Sequence, residues 1–285
     1  MEMIFLLLIL LTVYPVTAYK AVVFIHGLNG LSSDGNLIND TLQKLHPKTP
    51  YYAVEAFGNL QTLLPLWEEV DIVRPYLLKY MKAHPEGIHL ICYSQGGLVC
   101  RGLLSTIPDH NVNTFIALSS PLAGIFGDWK FTHKFFPNFV RDNAYRFLYT
   151  KIGQEIFLGN YWKDPHHLHL YTKFSNFLAP LNNDSKSPYI TEYKRNFLRI
   201  KELILIGGPN DDVISPWQSS HFGFYNEKGE VQGMKEQRFY KEDSFGLKTM
   251  DEQNRIKTYA IPNIQHRHWV RNLTLIKDII VKSLT

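Results

Sequence analysis

Short apolar runs punctuate this chain, and most end at glycine, serine or another turn-forming residue. They lie at 21–25, 52–57, 88–93, 115–119, 203–206 and 256–261. Near-continuous runs of this length suit strands buried on both faces, as in a parallel sheet. Between several of them, 64–81, 97–107 and 270–284 read as helices, from apolar spacing or from the turn before them. Strands alternating with helices predict right-handed βαβ units and an α/β fold on a mostly parallel, doubly wound sheet. No internal repeat or low-complexity linker divides the chain, so one domain over 19–285 is expected.

Two stretches interrupt the alternation. Residues 122–199 are rich in aromatic and turn residues, and 215–250 form a second irregular excursion. In an open α/β sheet the ligand site lies beyond the carboxyl ends of the strands. Both excursions leave strands at that edge, so each is a candidate cap, with Phe, Tyr and Trp making the roof apolar. The plainer alternative is satellite core beneath long loops.

Hydrophobic residues make up 45% of the chain and charged residues 20%, which allows a sizeable core and argues against disorder. A net charge of +4 without a long basic run argues against nucleic acid as a partner. The N-terminus changes the picture more. Residues 4–13 are nearly all apolar and precede Val16-Thr17-Ala18, whose small side chains suit signal peptidase, although Glu2 departs from the usual basic start. Residues 1–18 therefore read as a signal peptide, with a buried N-terminal strand as the alternative. The run is shorter than the ~20 residues a spanning helix needs, so no stable membrane anchor is expected. Sequons at Asn39, Asn183 and Asn272 agree with export and mark candidate glycosylation sites. The two cysteines, Cys92 and Cys100, invite a disulfide in an oxidising compartment; two small buried residues, one on a strand and one on a helix, are the alternative.

The candidate chemistry begins where the run 88–93 meets Ser94-Gln95-Gly96-Gly97 and a helix follows. This is the pattern of a nucleophile elbow, a sharp strand-to-helix turn that lifts a serine hydroxyl clear of the sheet. Its usual form is G-x-S-x-G. Here Cys92 replaces the first glycine, at a position that needs a small side chain, and Gly96 supplies the second. A serine hydroxyl needs a base, and the base needs an orienting acid. In this fold the chain order is serine, acid, histidine. The loop after 203–206 offers Asp211 and Asp212, and the Gly-x-x-Asp-x-Val spacing of hydrolases with this fold selects Asp211, leaving Asp212 to shape the turn. After the last strand, His266 and His268 both stand where the base belongs. Expected oxyanion donors are the backbone N–H groups of Gln95, after the nucleophile, and Leu28, in the loop after the first strand, with His26 bracing that loop. The cluster His166-His167-Leu168-His169 lacks carboxylate or cysteine support at ligand spacing, so no metal and no other cofactor is expected.

With these residues in hand, the chain resembles the palmitoyl-protein thioesterase family, its second, lysosomal type most of all. The resemblance is dense from Cys92-Tyr93-Ser94-Gln95-Gly96-Gly97 through Leu98-Val99-Cys100-Arg101. It continues in Asn160-Tyr161-Trp162, Gly207-Gly208-Pro209, Pro216-Trp217-Gln218-Ser219-Ser220 and Asp243-Ser244-Phe245-Gly246, across nearly the whole mature chain. It implies an α/β-hydrolase fold and a Ser94–His266–Asp211 triad acting on long-chain acyl thioesters, in lysosomes or after secretion. Gln95 and Leu28 would be the oxyanion donors. The family's histidine stands three residues before a tryptophan, as His266 stands before Trp269. The resemblance further implies a preference for acyl-CoA-like thioesters over acylated proteins; no obligate protein partner is expected. Relatives usually carry more cysteines than this chain. An oxyester lipase or carboxylesterase would use the same triad, and a non-catalytic lipid carrier could share the fold. Nucleophile, acid and base in the required order weigh against the carrier.

Overall fold

In the computed structural model, which describes residues 19–56, 58–127 and 141–284, the apolar runs become strands of one sheet. These are β1 (Ala21–Ile25), β2 (Tyr51–Ala53), β3 (Ile88–Tyr93), β4 (Val112–Leu118) and β5 (Glu202–Gly207). A two-residue pair, β6 (Phe224–Tyr225) and β7 (Val231–Gln232), makes a separate antiparallel ribbon, and β8 (Ile256–Ala260) completes the main sheet. The order is β2-β1-β3-β4-β5-β8, parallel throughout. The expected signal peptide at 1–18 lies outside the described residues.

The continuity of the apolar runs has a direct cause. Val22, Phe24, Ile91, Ile116 and Ile204 fill a core on one face, and Val23, Ile25, Leu90, Phe115 and Leu205 fill a core on the other. Both faces are covered, so neither parity of strand residue meets water. The two edge strands are the exceptions: β2 is only half-buried, and β8 has Lys257, Thr258 and Ala260 exposed.

Helix α1 (Asn36–Leu45) covers the first face through Ile38 and Leu42; α2 (Leu66–Ala83) and α3 (Gln95–Thr106) cover the second. Helix α1 is not among the helices the periodicity predicts, because its apolar stripe is short and interrupted by polar residues. The helix expected at 270–284 is a series of turns, 3₁₀ over His266–Arg271, α over Leu273–Leu275, π over Ile276–Ile280 and 3₁₀ over Val281–Ser283. With the wider π turn, Ile276, Ile280, Val281 and Leu284 all join the core on the α1 face.

The chain leaves β1 towards β2 on one side and then returns to place β3 on the other. This reversal opens a crevice at the carboxyl ends of β1 and β3, where ligands of open α/β sheets bind. The two excursions lie between β4 and β5 and between β5 and β8. The first holds several short helices and then α4 (Ile190–Phe197), which packs on α3. Arg101 of α3 binds both excursions. Its guanidinium donates to the carbonyls of Leu122 at 2.9 Å and Leu181 at 3.2 Å and to Asn182 Oδ1 at 2.7 Å, and it lies 4.2 Å from the Phe245 ring centre. A wholly buried cation is tolerable only with such partners.

Candidate active site

Ser94 follows the last residue of β3 and caps α3 with φ 54° and ψ −128°, a backbone geometry rarely adopted by residues other than glycine. The elbow is closed by near contact between backbones. A β-carbon on Gly96 would overlap the His26 carbonyl, and one on Gly27 would approach Ser94 Cβ to 2.6 Å. The same contacts press the loop carrying Leu28 against Ser94. His26 is buried in that loop, its Nδ1 3.0 Å from the Gly27 carbonyl. Burial pushes its pKa down, opposed by that carbonyl. Cys92 and Cys100 are joined by a disulfide that links the end of β3 to α3 across the elbow.

The side chains separated most in sequence meet here. His266 Nε2 lies 2.8 Å from Ser94 Oγ, and His266 Nδ1 lies 2.8 Å from Asp211 Oδ2. The Asp211 carboxylate is densely solvated by protein. It accepts from the N–H groups of Val213 at 2.9 Å and Ile214 at 2.8 Å, from Trp269 Nε1 at 2.7 Å and from the Ser119 hydroxyl. Burial alone would push its pKa up; the hydrogen bond and charge of His266, with the Ile214 and Ser119 donors, outweigh that and hold it below the usual carboxylate range. Such an arrangement can withdraw a proton from the serine hydroxyl and stabilise the imidazolium that results.

His266 is fixed on several sides. Its backbone N–H donates to Asp212 Oδ1 at 2.9 Å, its carbonyl accepts from the Tyr93 hydroxyl at 2.7 Å, and its ring stacks on Tyr93 with centres 5.3 Å apart. Asp212, expected to shape its turn, thus holds the histidine backbone, while the loop N–H groups of Val213 and Ile214 go to Asp211. His268 is exposed and has no such contacts to Ser94 or Asp211 among the described residues. Ser119, Trp269, Tyr93 and Asp212 complete the site, and sequence reasoning assigned none of them there. For Trp269 the signal was the constant spacing from His266; Ser119 at the end of β4 left no local mark.

Gln95 opens α3, so its backbone N–H is one of those without an acceptor inside the helix. The remaining candidates lie elsewhere. Asn39 sits on α1 and accepts from Gln43 Nε2 at 3.2 Å; Asn183 takes a left-handed conformation after a short helix; Asn272 caps Leu275 N–H at 2.9 Å. All three are partly exposed. His167 pairs with Asp164 at 2.9 Å and stacks on Tyr145, and among the described residues no three His, Cys, Asp or Glu side chains gather as a metal site. No described helix is long and apolar enough to cross a membrane.

The family model described as palmitoyl protein thioesterase matches residues 21–266. The protein named lysosomal thioesterase PPT2-B of Xenopus laevis is 47% identical over 94% of this chain and 93% of its own length. The human protein named lysosomal thioesterase PPT2 is 45% identical over 92% of this chain and 87% of its own. Among solved structures, a lipase-esterase related protein of Clostridium acetobutylicum aligns over 94% of this chain and 96% of its own, with a TM-score of 0.48 and 14% identity. The chain therefore belongs to the palmitoyl protein thioesterase family of thioester hydrolases.

Proposed function

We propose that this thioesterase hydrolyses long-chain fatty acyl thioesters in the lysosome by nucleophilic catalysis at Ser94, with His266 as base and Asp211 as its orienting acid. The observation that carries the reading is the unbroken pair of 2.8 Å contacts from Ser94 Oγ through the His266 ring to Asp211.

Ser94 Oγ attacks the thioester carbonyl as His266 Nε2 takes its proton. The oxyanion is received by the backbone N–H groups of Gln95 and Leu28. Collapse of the tetrahedral intermediate breaks the C–S bond, and the leaving thiolate takes the proton held by His266. A water molecule then gives its proton to His266 and attacks the acyl-enzyme; the fatty acid leaves and Ser94 regains its hydrogen. The lysosomal names of its relatives support delivery to that compartment. The aromatic excursions 122–199 and 215–250 are proposed to form the roof of the acyl site.

The test compares palmitoyl-CoA with a matched long-chain oxyester, using the purified protein and its Ser94→Ala variant. Thioester turnover that vanishes in the variant is the expected result. Preference for the oxyester would reassign the chain's own activity to esterase chemistry on the same residues. Turnover of neither, with no labelling by a fluorophosphonate, would overturn the mechanism in favour of a carrier.

A further inference from the structure

Gln95 is held more completely than a backbone donor needs. Its side-chain amide donates to the Thr62 carbonyl at 2.8 Å and to Glu69 Oε1 at 2.8 Å, and its Oε1 accepts from the Tyr161 hydroxyl at 3.0 Å. Gln95, Glu69 and Tyr161 are all buried, and Glu69 Oε2 has no hydrogen-bond partner among the described residues. Glu69 lies on the buried stripe of α2 with Leu66, Val70, Val73 and Leu77. Burial pushes its carboxyl well above the usual range, against the hydrogen bond from Gln95. A polar group on that stripe weakens the core, so packing gives no account of it.

The peptide between Ser94 and Gln95 explains what the clamp does. It follows the strained conformation of Ser94 and begins a helix where N–H groups lack internal partners. Rotation of this peptide would relax the strain and swing the Gln95 N–H away from the serine. Three hydrogen bonds on the side chain resist that rotation. We infer that Glu69 and Tyr161 are positioning residues, clamping the Gln95 side chain so that its backbone N–H stays aimed at the developing oxyanion. This rests on the proposed role of Ser94. It also couples the first excursion to the hole: Tyr161 reaches Gln95 while its neighbour Asn160 accepts from Leu66 N–H at 2.6 Å.

The test uses the full chain and its Glu69→Leu, Glu69→Gln and Tyr161→Phe variants. Turnover of palmitoyl-CoA, the rate of phosphonylation by a fluorophosphonate, and thermal unfolding are measured for each. Glu69→Leu should lower kcat and the phosphonylation rate together by about tenfold or more, with KM changed by less than about twofold. Glu69→Gln, which keeps the acceptor oxygen, should recover most of that loss, and Tyr161→Phe should move both rates in the same direction by less. Wild-type kcat and phosphonylation in Glu69→Leu, with only the melting temperature lowered, would overturn the clamp. Should Glu69→Leu fail to fold, Tyr161→Phe decides by the same criterion. A wild-type protein that neither labels nor turns over substrate fails the Ser94 reading itself, whereas an active one with unmoved variants fails only the clamp.

Discussion

Two buried carboxyl groups flank Ser94, and their surroundings are opposite. Asp211 meets five donors, from His266, Ser119, Trp269, Val213 and Ile214. Glu69 meets one, from Gln95, and has an oxygen with no partner among the described residues. Burial raises the pKa of both; only Asp211 has enough hydrogen bonds and positive charge nearby to reverse the sign. Depth therefore does not decide the charge of a buried acid. The donors and the positive charge around it do. On the histidine side this favours an anion that can steady an imidazolium, and beside Gln95 it favours the protonated form of Glu69, which can hold an amide without drawing charge towards it.

The comparison breaks most visibly at Asp211. An asparagine in its place would offer one acceptor oxygen to donors arranged for two, and would turn its amide N–H groups either against Trp269 or against the Val213 and Ile214 N–H groups. Asp211→Asn should reduce kcat/KM for palmitoyl-CoA by ~10⁴ through loss of the charge and of the histidine tautomer it selects. Steady-state kinetics check this. Activity within about tenfold of wild type would mean that Asp211 is not the orienting acid.

The two sides also differ in how far they could be read from the sequence. Ser94 stood out because the strand, the sharp turn and the helix are contiguous, and the acid and base followed in the order the fold requires. The choice between His266 and His268 needed the family's spacing to Trp269; in space it is His266 whose ring lies 2.8 Å from both Ser94 Oγ and Asp211 Oδ2, while His268 is exposed. Ser119 was illegible, since only the packing of β4 beside the β5 loop brings its hydroxyl to Asp211. Glu69 belongs to none of the motifs the sequence offers. Yet its signal was present: it lies three residues after Leu66 and four before Val73, on the apolar stripe of the helix expected at 64–81. An acid on the buried face of a helix is a question that periodicity alone can raise.

A milder perturbation removes one donor from Asp211. Trp269→Phe deletes the 2.7 Å bond from Nε1 while keeping an aromatic ring at a fully buried position. The expected outcome is about tenfold lower kcat, with unfolding stability reduced by ~2 kcal/mol, the order of one hydrogen bond to a charged group. Urea denaturation and turnover measured on the same preparation separate the two effects. A stability loss with undiminished turnover would show that four donors suffice to hold the anion.

The subtlest test reads the opposite signs of the two pKa shifts as slopes. Asp211 is held below its ordinary value of ~3.9, so its stabilisation is present above that value and is lost as pH falls through the lowered one. Glu69 is held above its ordinary value of ~4.3, so its contribution is complete below that value and is lost as pH rises through the raised one. Between those limits the folded chain keeps a proton that the unfolded chain has released, and wild-type stability must fall with rising pH by at most ~1.4 kcal/mol per unit from this group. Glu69→Gln cannot release that proton. Its stability relative to wild type should therefore climb from pH ~4.3 upwards, with the steepest change before Glu69 ionises in the folded state. Tyr161, the other ionisable group on Gln95, is itself driven well above its ordinary value by burial and by Glu69, so it stays neutral across this range. Parallel stability curves for the two proteins, measured by denaturant titration across the acidic to neutral range, would mean that Glu69 is an anion like Asp211 and that donor count does not separate them.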